Sequence, residues 1–79
     1  LSGANLRGAQ AMFARFTGAN MANADLSGAD LTEADFSGAD LTGANLAGAD
    51  LAHANLSSAK GLEQARGLEH ALNLDTARR

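Results

Sequence analysis

The sequence predicts an all-β solenoid, a quadrilateral β-helix of about three coils with a C-terminal helical or irregular cap. Three observations predict it. A Leu or Phe recurs every five residues through most of the chain, an Ala stands two residues before each, and like side chains recur 20 residues apart, as Phe16 and Phe36 do. The stretch at 24–51, ADLSGADLTEADFSGADLTGANLAGADL, shows the pattern at its most regular. Neither common template accommodates it. On an α-helix, five steps advance each Leu by roughly 140° and leave no apolar stripe. On a flat strand, an odd spacing sends alternate Leu residues to opposite faces.

The centres of the repeat are Leu6, Ala11, Phe16, Met21, Leu26, Leu31, Phe36, Leu41, Leu46, Leu51 and Leu56. Ala precedes each by two, and the residue between is Asn or Asp in nine of the eleven units, Gln10 and Arg15 being the departures. In an extended segment Ala and the centre share one side, and the Asx residue points to the other. The remaining two residues turn a corner. Gly in the last slot (Gly8, Gly18, Gly28, Gly38, Gly43, Gly48) supplies the positive φ of a type II turn without a Cβ clash.

One such unit is one side of a square. Four sides make a 20-residue coil, and coils stack about 4.8 Å apart by backbone hydrogen bonds. The interior holds only small and mid-sized side chains, in keeping with a chain that lacks Trp, Tyr, Val, Ile and Pro and has three Phe. Stacking at 20 residues places Phe16, Phe36 and Leu56 in one column. Leu6, Leu26 and Leu46 form another, and Ala11, Leu31 and Leu51 a third. The predicted core stack is therefore Leu6, Phe16, Met21, Leu26, Leu31, Phe36, Leu41, Leu46, Leu51 and Leu56.

The A-(D/N)-(L/F)-x-x unit, running from about residue 4 to residue 60, resembles the pentapeptide repeat family. The resemblance implies a right-handed winding, which the spacing itself does not give. It also implies an origin in bacteria or photosynthetic compartments, with the cytoplasm as the default location. Two units are expected, a β-helix over 1–60 and a cap or tail over 61–79.

After Ser58 the period changes from five to six, in AKGLEQ ARGLEH ALNLDT. Two readings stand. Leu62, Ala65, Leu68, Ala71 and Leu72 can form a helical stripe, with Arg78 and Arg79 complementing the negative end of the helix dipole. Alternatively the solenoid continues with one extra residue per side, as short helical turns. Gly61 and Gly67 weaken a continuous helix, each by about 1 kcal/mol relative to Ala. Either version covers the exposed edge of the last coil. The N-terminal coil has no such cover, which raises the expectation of further sequence before it or of a homodimer through that end.

Composition narrows the chemistry. At 79 residues the chain is one small domain, and without Cys it has no disulfide and no thiol nucleophile. It contains no apolar run of membrane-spanning length. No phosphate loop and no calcium-binding GGxGxD repeat occurs. The column Phe13, Glu33, His53 lies beside Gln10, Asp30, Asp50; a polar ligand site there is weighed against a solvated pair of little energetic consequence. No cofactor and no enzymatic activity are expected.

The candidate interaction residues are Met12, Phe13 and Arg15, within AQAMFARF. Ala11 stands where Leu is expected, and Phe13 either folds inward to fill the space or stays outside as part of a protein contact. The expected function is a non-catalytic structural or protein–protein interaction module, its partner another protein or further domains of the same chain, with no membrane and no direct nucleic-acid binding. The alternative comes from the resemblance: some pentapeptide repeat proteins are DNA mimics acting on DNA gyrase. Residues 1–58 carry six acidic and two basic side chains. Yet Asp25, Asp30, Asp35 and Asp40 fall on four successive sides, a belt around the coil rather than a stripe along it.

Overall fold

The computed structural model describes residues 1–78, and its organisation follows from where each backbone N–H goes. In the unit 24–28, Ala24 N–H donates across the corner to the Met21 carbonyl at 3.0 Å. Asp25 N–H reaches Ala4 at 2.8 Å, Leu26 N–H reaches Asn45 at 2.8 Å, and Gly28 N–H reaches Ala47 at 2.8 Å. Ser27 N–H donates to the side chain two residues back, Asp25 Oδ1, at 3.1 Å. All five donors of the unit are thereby satisfied, three by neighbouring coils and two locally. A buried or edge backbone demands that accounting.

Parallel bridges join residues 20 apart into four ladders: Asn5–Asp25–Asn45, Gln10–Asp30–Asp50, Arg15–Asp35–Asn55 and Asn20–Asp40–Lys60. These are the four faces of the square, named here by their first residue. At each corner the last residue of the unit has positive φ, as Gly28 does at 69°, the sign a type II turn requires at its third residue. Among the described residues, six non-glycine residues and nine glycines adopt this left-handed conformation.

The Ala and centre residues meet inside. Met21, Leu26, Leu31, Phe36, Leu41, Leu46, Leu51 and Leu56 are buried, along with Ala24 through Ala54 at every fifth position. Leu6 and Phe16, also expected in the core, pack against this cluster from the first coil and are partly buried. Phe16 and Phe36 stack with ring centroids 4.8 Å apart and planes 11° from parallel, so the aromatic spacing equals the coil spacing.

A helical cap does not form over the described part of 61–79. Gly61, Gly67 and Asn73 take left-handed backbone every six residues, and each is followed by one short 3-10 turn: Leu62–Gln64, Leu68–His70 and Leu74–Thr76. Between the turns, Arg66, Leu72 and Arg78 pair with Asn45, Asp50 and Asn55, adding a rung to three of the ladders. The six-residue reading therefore describes the tail, and position 60 marks a change in side length within one winding. The helical stripe fails because a left-handed residue every six positions interrupts any i to i−4 hydrogen-bond series. Leu62, Leu68 and Leu74 instead pack against the core from its C-terminal end. Arg79 lies outside the described residues.

Candidate docking face

Nine Asx residues occupy the outward slot of the repeat, and in all nine the side-chain oxygen Oδ1 accepts the N–H two residues on. Only a short side chain closes this ring. Asp25, Asp30 and Asp40 additionally accept the hydroxyl of Ser27, Thr32 and Thr42 at 2.7 Å. Hydrogen bonding to the charged form holds several of these carboxyls below the ordinary carboxylate range. For Asp25 and Asp40 the leading cause is the neighbouring hydroxyl, for Asp35 the Ser37 N–H, and for Asp50 the Asn73 side-chain amide. The acidic side chains are thus fixed parts of the backbone scaffold.

Charge is not evenly shared among the faces. The Asn5 face sets Arg7 and Arg66 against Asp25 and Glu69, and Arg7 Nε lies 3.6 Å from Asp25 Oδ2. On the Arg15 face, Arg15 sits above Asp35; on the Asn20 face, Asp40 sits above Lys60, with Glu63 in the following corner. The Gln10 face with its following corner carries Asp30, Glu33, Asp50 and Asp75 and, among the described residues, no Lys or Arg. The belt of aspartates anticipated from spacing is real in position, but three sides place a cation beside their aspartate and the Gln10 side, among the described residues, does not.

Met12, Phe13 and Arg15 all lie outside. Met12 is 49% exposed and Phe13 is 63% exposed, so the inward reading of Phe13 does not hold. Its physical reason is the corner. Phe13 has φ of 63°, the slot that Gly occupies in most units, and there the side chain projects away from the coil. A bulky residue pays about 1–2 kcal/mol in that conformation, so the position is strained as well as solvated. Met12 and Phe13 belong to the Gln10 face and its corner, whereas Arg15 lies beyond the corner beside Asp35 and lowers that carboxyl's pKa. The structure therefore keeps two of the three residues together.

Sequence reasoning missed Leu72, which is 53% exposed in the Asx slot of the same face, three rungs from Gln10. The six-residue period was the available signal, since it places Leu72 in register with Asp50. Glu33 and His53 do share a corner column, but no ion pair joins them among the described residues; the backbone N–H of His53 donates to Thr76 Oγ1 at 3.1 Å. Among the described residues no three His, Cys, Asp or Glu converge as a metal site would. No described helix is long and apolar enough to cross a membrane.

Comparison with known proteins agrees with this geometry. The family model described as pentapeptide repeats matches residues 1–32, 12–46 and 29–60. A crystal structure of a pentapeptide repeat protein from the Arabidopsis thaliana thylakoid lumen is 41% identical, with a TM-score of 0.74 over 75% of this chain and 41% of that one. HetL, a pentapeptide repeat protein involved in heterocyst differentiation regulation in the cyanobacterium Nostoc, is 26% identical with a TM-score of 0.56, over 96% of this chain and 43% of its own. The chain thus spans about two fifths of the length of each solved relative. No curated protein matches it.

Proposed function

Because this chain belongs to the pentapeptide repeat family, whose members wind as right-handed quadrilateral β-helices, we propose that it is a non-catalytic structural or protein–protein interaction module. Its partner is another protein or a further domain of the same polypeptide. The observation that carries this reading is the fate of the polar side chains: all nine repeat Asx oxygens cap their own backbone. A carboxylate held in that way is poorly placed for proton transfer, which needs a group free to face substrate. What remains variable is the outer surface, and a rigid scaffold with four differently decorated faces suits recognition. HetL, which shares the fold, is involved in a regulatory process.

The test is capture of partners by the intact parent protein, repeated with each face altered in turn at its exposed residues. The reading expects unchanged circular dichroism in all four variants and loss of capture from at least one. Retention of every partner by all four would overturn it.

DNA mimicry is the second reading, favoured by the net negative Gln10 face. The structure measures only 24 × 23 × 21 Å, so that face offers a short acidic patch in place of a duplex-like rod. Inhibition of gyrase supercoiling that weakens on Asp30→Asn and Asp50→Asn would support it. No inhibition at high micromolar protein would retire it.

A further inference from the structure

One unit keeps its Ala9 but departs from the repeat at its other four positions. Gln10 replaces the capping Asx, Ala11 replaces the large centre, Met12 replaces a small residue and Phe13 replaces the corner Gly. Among the described residues, Phe13 is the one large apolar side chain of the six non-glycine residues with positive φ, the rest being Asn, Glu, His and Ser. Local departures of this kind, uncompensated by packing, collect at functional sites. Here they put apolar surface into water: among the described residues, Met12, Phe13 and Leu72 are three of the four large hydrophobic residues left exposed, and all three belong to the Gln10 face and its corner.

The same face holds the ladder step at which two acids pair directly. Asp25 and Asp35 are followed by Asn45 and Asn55, and Asp40 by Lys60, but Asp30 is followed by Asp50. Asp30 uses Oδ1 for Thr32, and Asp50 uses Oδ1 for Ala52 and Asn73. Each therefore keeps its second oxygen for an outside donor. Two carboxylates on adjacent rungs, whose backbones lie about 4.8 Å apart, repel one another, and an Arg fork between them removes the repulsion while donating to both.

We propose that the Gln10 face docks an extended protein segment with an Arg at its centre and a large apolar residue two positions to either side. This rests on the interaction-module reading and names the partner that such a module would hold. The geometry selects the spacing. Met12 and Phe13 lie in the first coil and Leu72 three rungs away, a span of about 14 Å at the usual interstrand distance. An extended chain rises about 3.4 Å per residue and turns every second side chain to the same side. Positions 1, 3 and 5 then face the module over nearly the same 14 Å. The first meets Met12 and Phe13, the third meets Asp30 and Asp50, and the fifth meets Leu72. An acidic face excludes nucleic acid as the occupant, and charge complementarity selects a cationic partner.

The test is a titration of isotope-labelled 79-residue protein with the capped peptide Leu-Ser-Arg-Ser-Leu, followed by amide chemical shifts. Leu-Ser-Glu-Ser-Leu and Ala-Ser-Arg-Ser-Ala serve as controls. Shifts confined to Met12, Phe13, Asp30, Asp50, Leu72 and their neighbours, with both controls at least fivefold weaker, are the expected result. Phe13→Gly and Asp30→Asn should each weaken binding by about fivefold or more, whereas Asp35→Asn, on another face, should not. Phe13→Gly is the informative variant because it removes the ring while relaxing the corner, so lost binding cannot be ascribed to unfolding. Shifts spread over all four faces, equal binding of the acidic control, or unchanged binding by Phe13→Gly would overturn the proposal. If partner capture then maps to a different face, the module reading survives and this inference alone falls.

Discussion

Replacing Gly67 by Ala separates two costs that the fold places on its corners. Gly67 has φ of 73° at the start of a six-residue side, and a Cβ built there would lie 2.7 Å from Ala47 Cβ and 2.8 Å from Ala47 Cα. Gly28 has almost the same φ, 69°, but a Cβ there meets nothing within 4 Å. Both substitutions incur left-handed strain, about 1–2 kcal/mol, partly offset by about 0.4–1 kcal/mol because Ala has fewer unfolded conformations. Gly67→Ala must also open carbon contacts from 2.7 Å toward the ordinary 3.5–4.0 Å, against backbone that is tied into a ladder. Overpacking of that kind costs about 1–3 kcal/mol. Gly28→Ala should therefore cost about 1 kcal/mol and Gly67→Ala about 2–4 kcal/mol. At 4–8 °C per kcal/mol for a domain of this size, the two melting temperatures should differ by roughly 10 °C, read by circular dichroism. Equal losses would refute the close stacking of the six-residue sides on the third coil.

Three further outcomes follow from the same structure. Asn45→Ala leaves the Ala47 N–H without its 3.1 Å partner and should cost about 1 kcal/mol in urea unfolding, while Asn45→Asp should be near neutral at pH 7. Phe36→Ala empties the centre of the aromatic column against Phe16 and should cost about 3–5 kcal/mol, measured the same way. The lowered pKa values of Asp25, Asp35, Asp40 and Asp50 set the sign of the pH dependence: the folded state binds protons less readily than the unfolded chain. Their stabilisation is present above the ordinary carboxylate value of 3.8 and disappears as pH falls through the lower folded values. Melting temperature should consequently be flat from pH 7 to 5 and decline below about pH 4.

The five-residue sides were legible because two inward positions repeat strictly and the corner slot admits Gly. Stacking was legible through Phe16 and Phe36, whose separation has meaning only in a 20-residue coil. The tail was ambiguous for a physical reason: Leu62, Ala65, Leu68 and Leu72 fit a helical stripe, and a corner can be built from a 3-10 turn just as well as from a type II turn. The regular Gly61 and Gly67, taken as helix weakeners, were in fact the corners. The Asx caps went unread although the signal was there. An outward slot that only needed polarity would have accepted Glu as readily as Asp, and this one does not. Phe13 could not be placed from its neighbours, since the vacancy beside Ala11 is visible in sequence but the outward direction of the corner side chain is a property of the wound coil. Leu72 required the register of the tail, which only the ladder to Asp50 supplies.

The central claim is that the repeat builds the scaffold and that the departing unit, residues 9–13, serves recognition and not folding. The most direct measurement is the thermal stability of a regularised variant carrying Gln10→Asp, Ala11→Leu, Met12→Thr and Phe13→Gly. It restores a cap for residue 12, fills the first-coil interior, removes exposed apolar surface and relaxes a strained corner. The account predicts a melting temperature above that of the parent, with an unchanged circular dichroism spectrum. A lower melting temperature would show that Met12 and Phe13 hold the first coil together and would contradict the account.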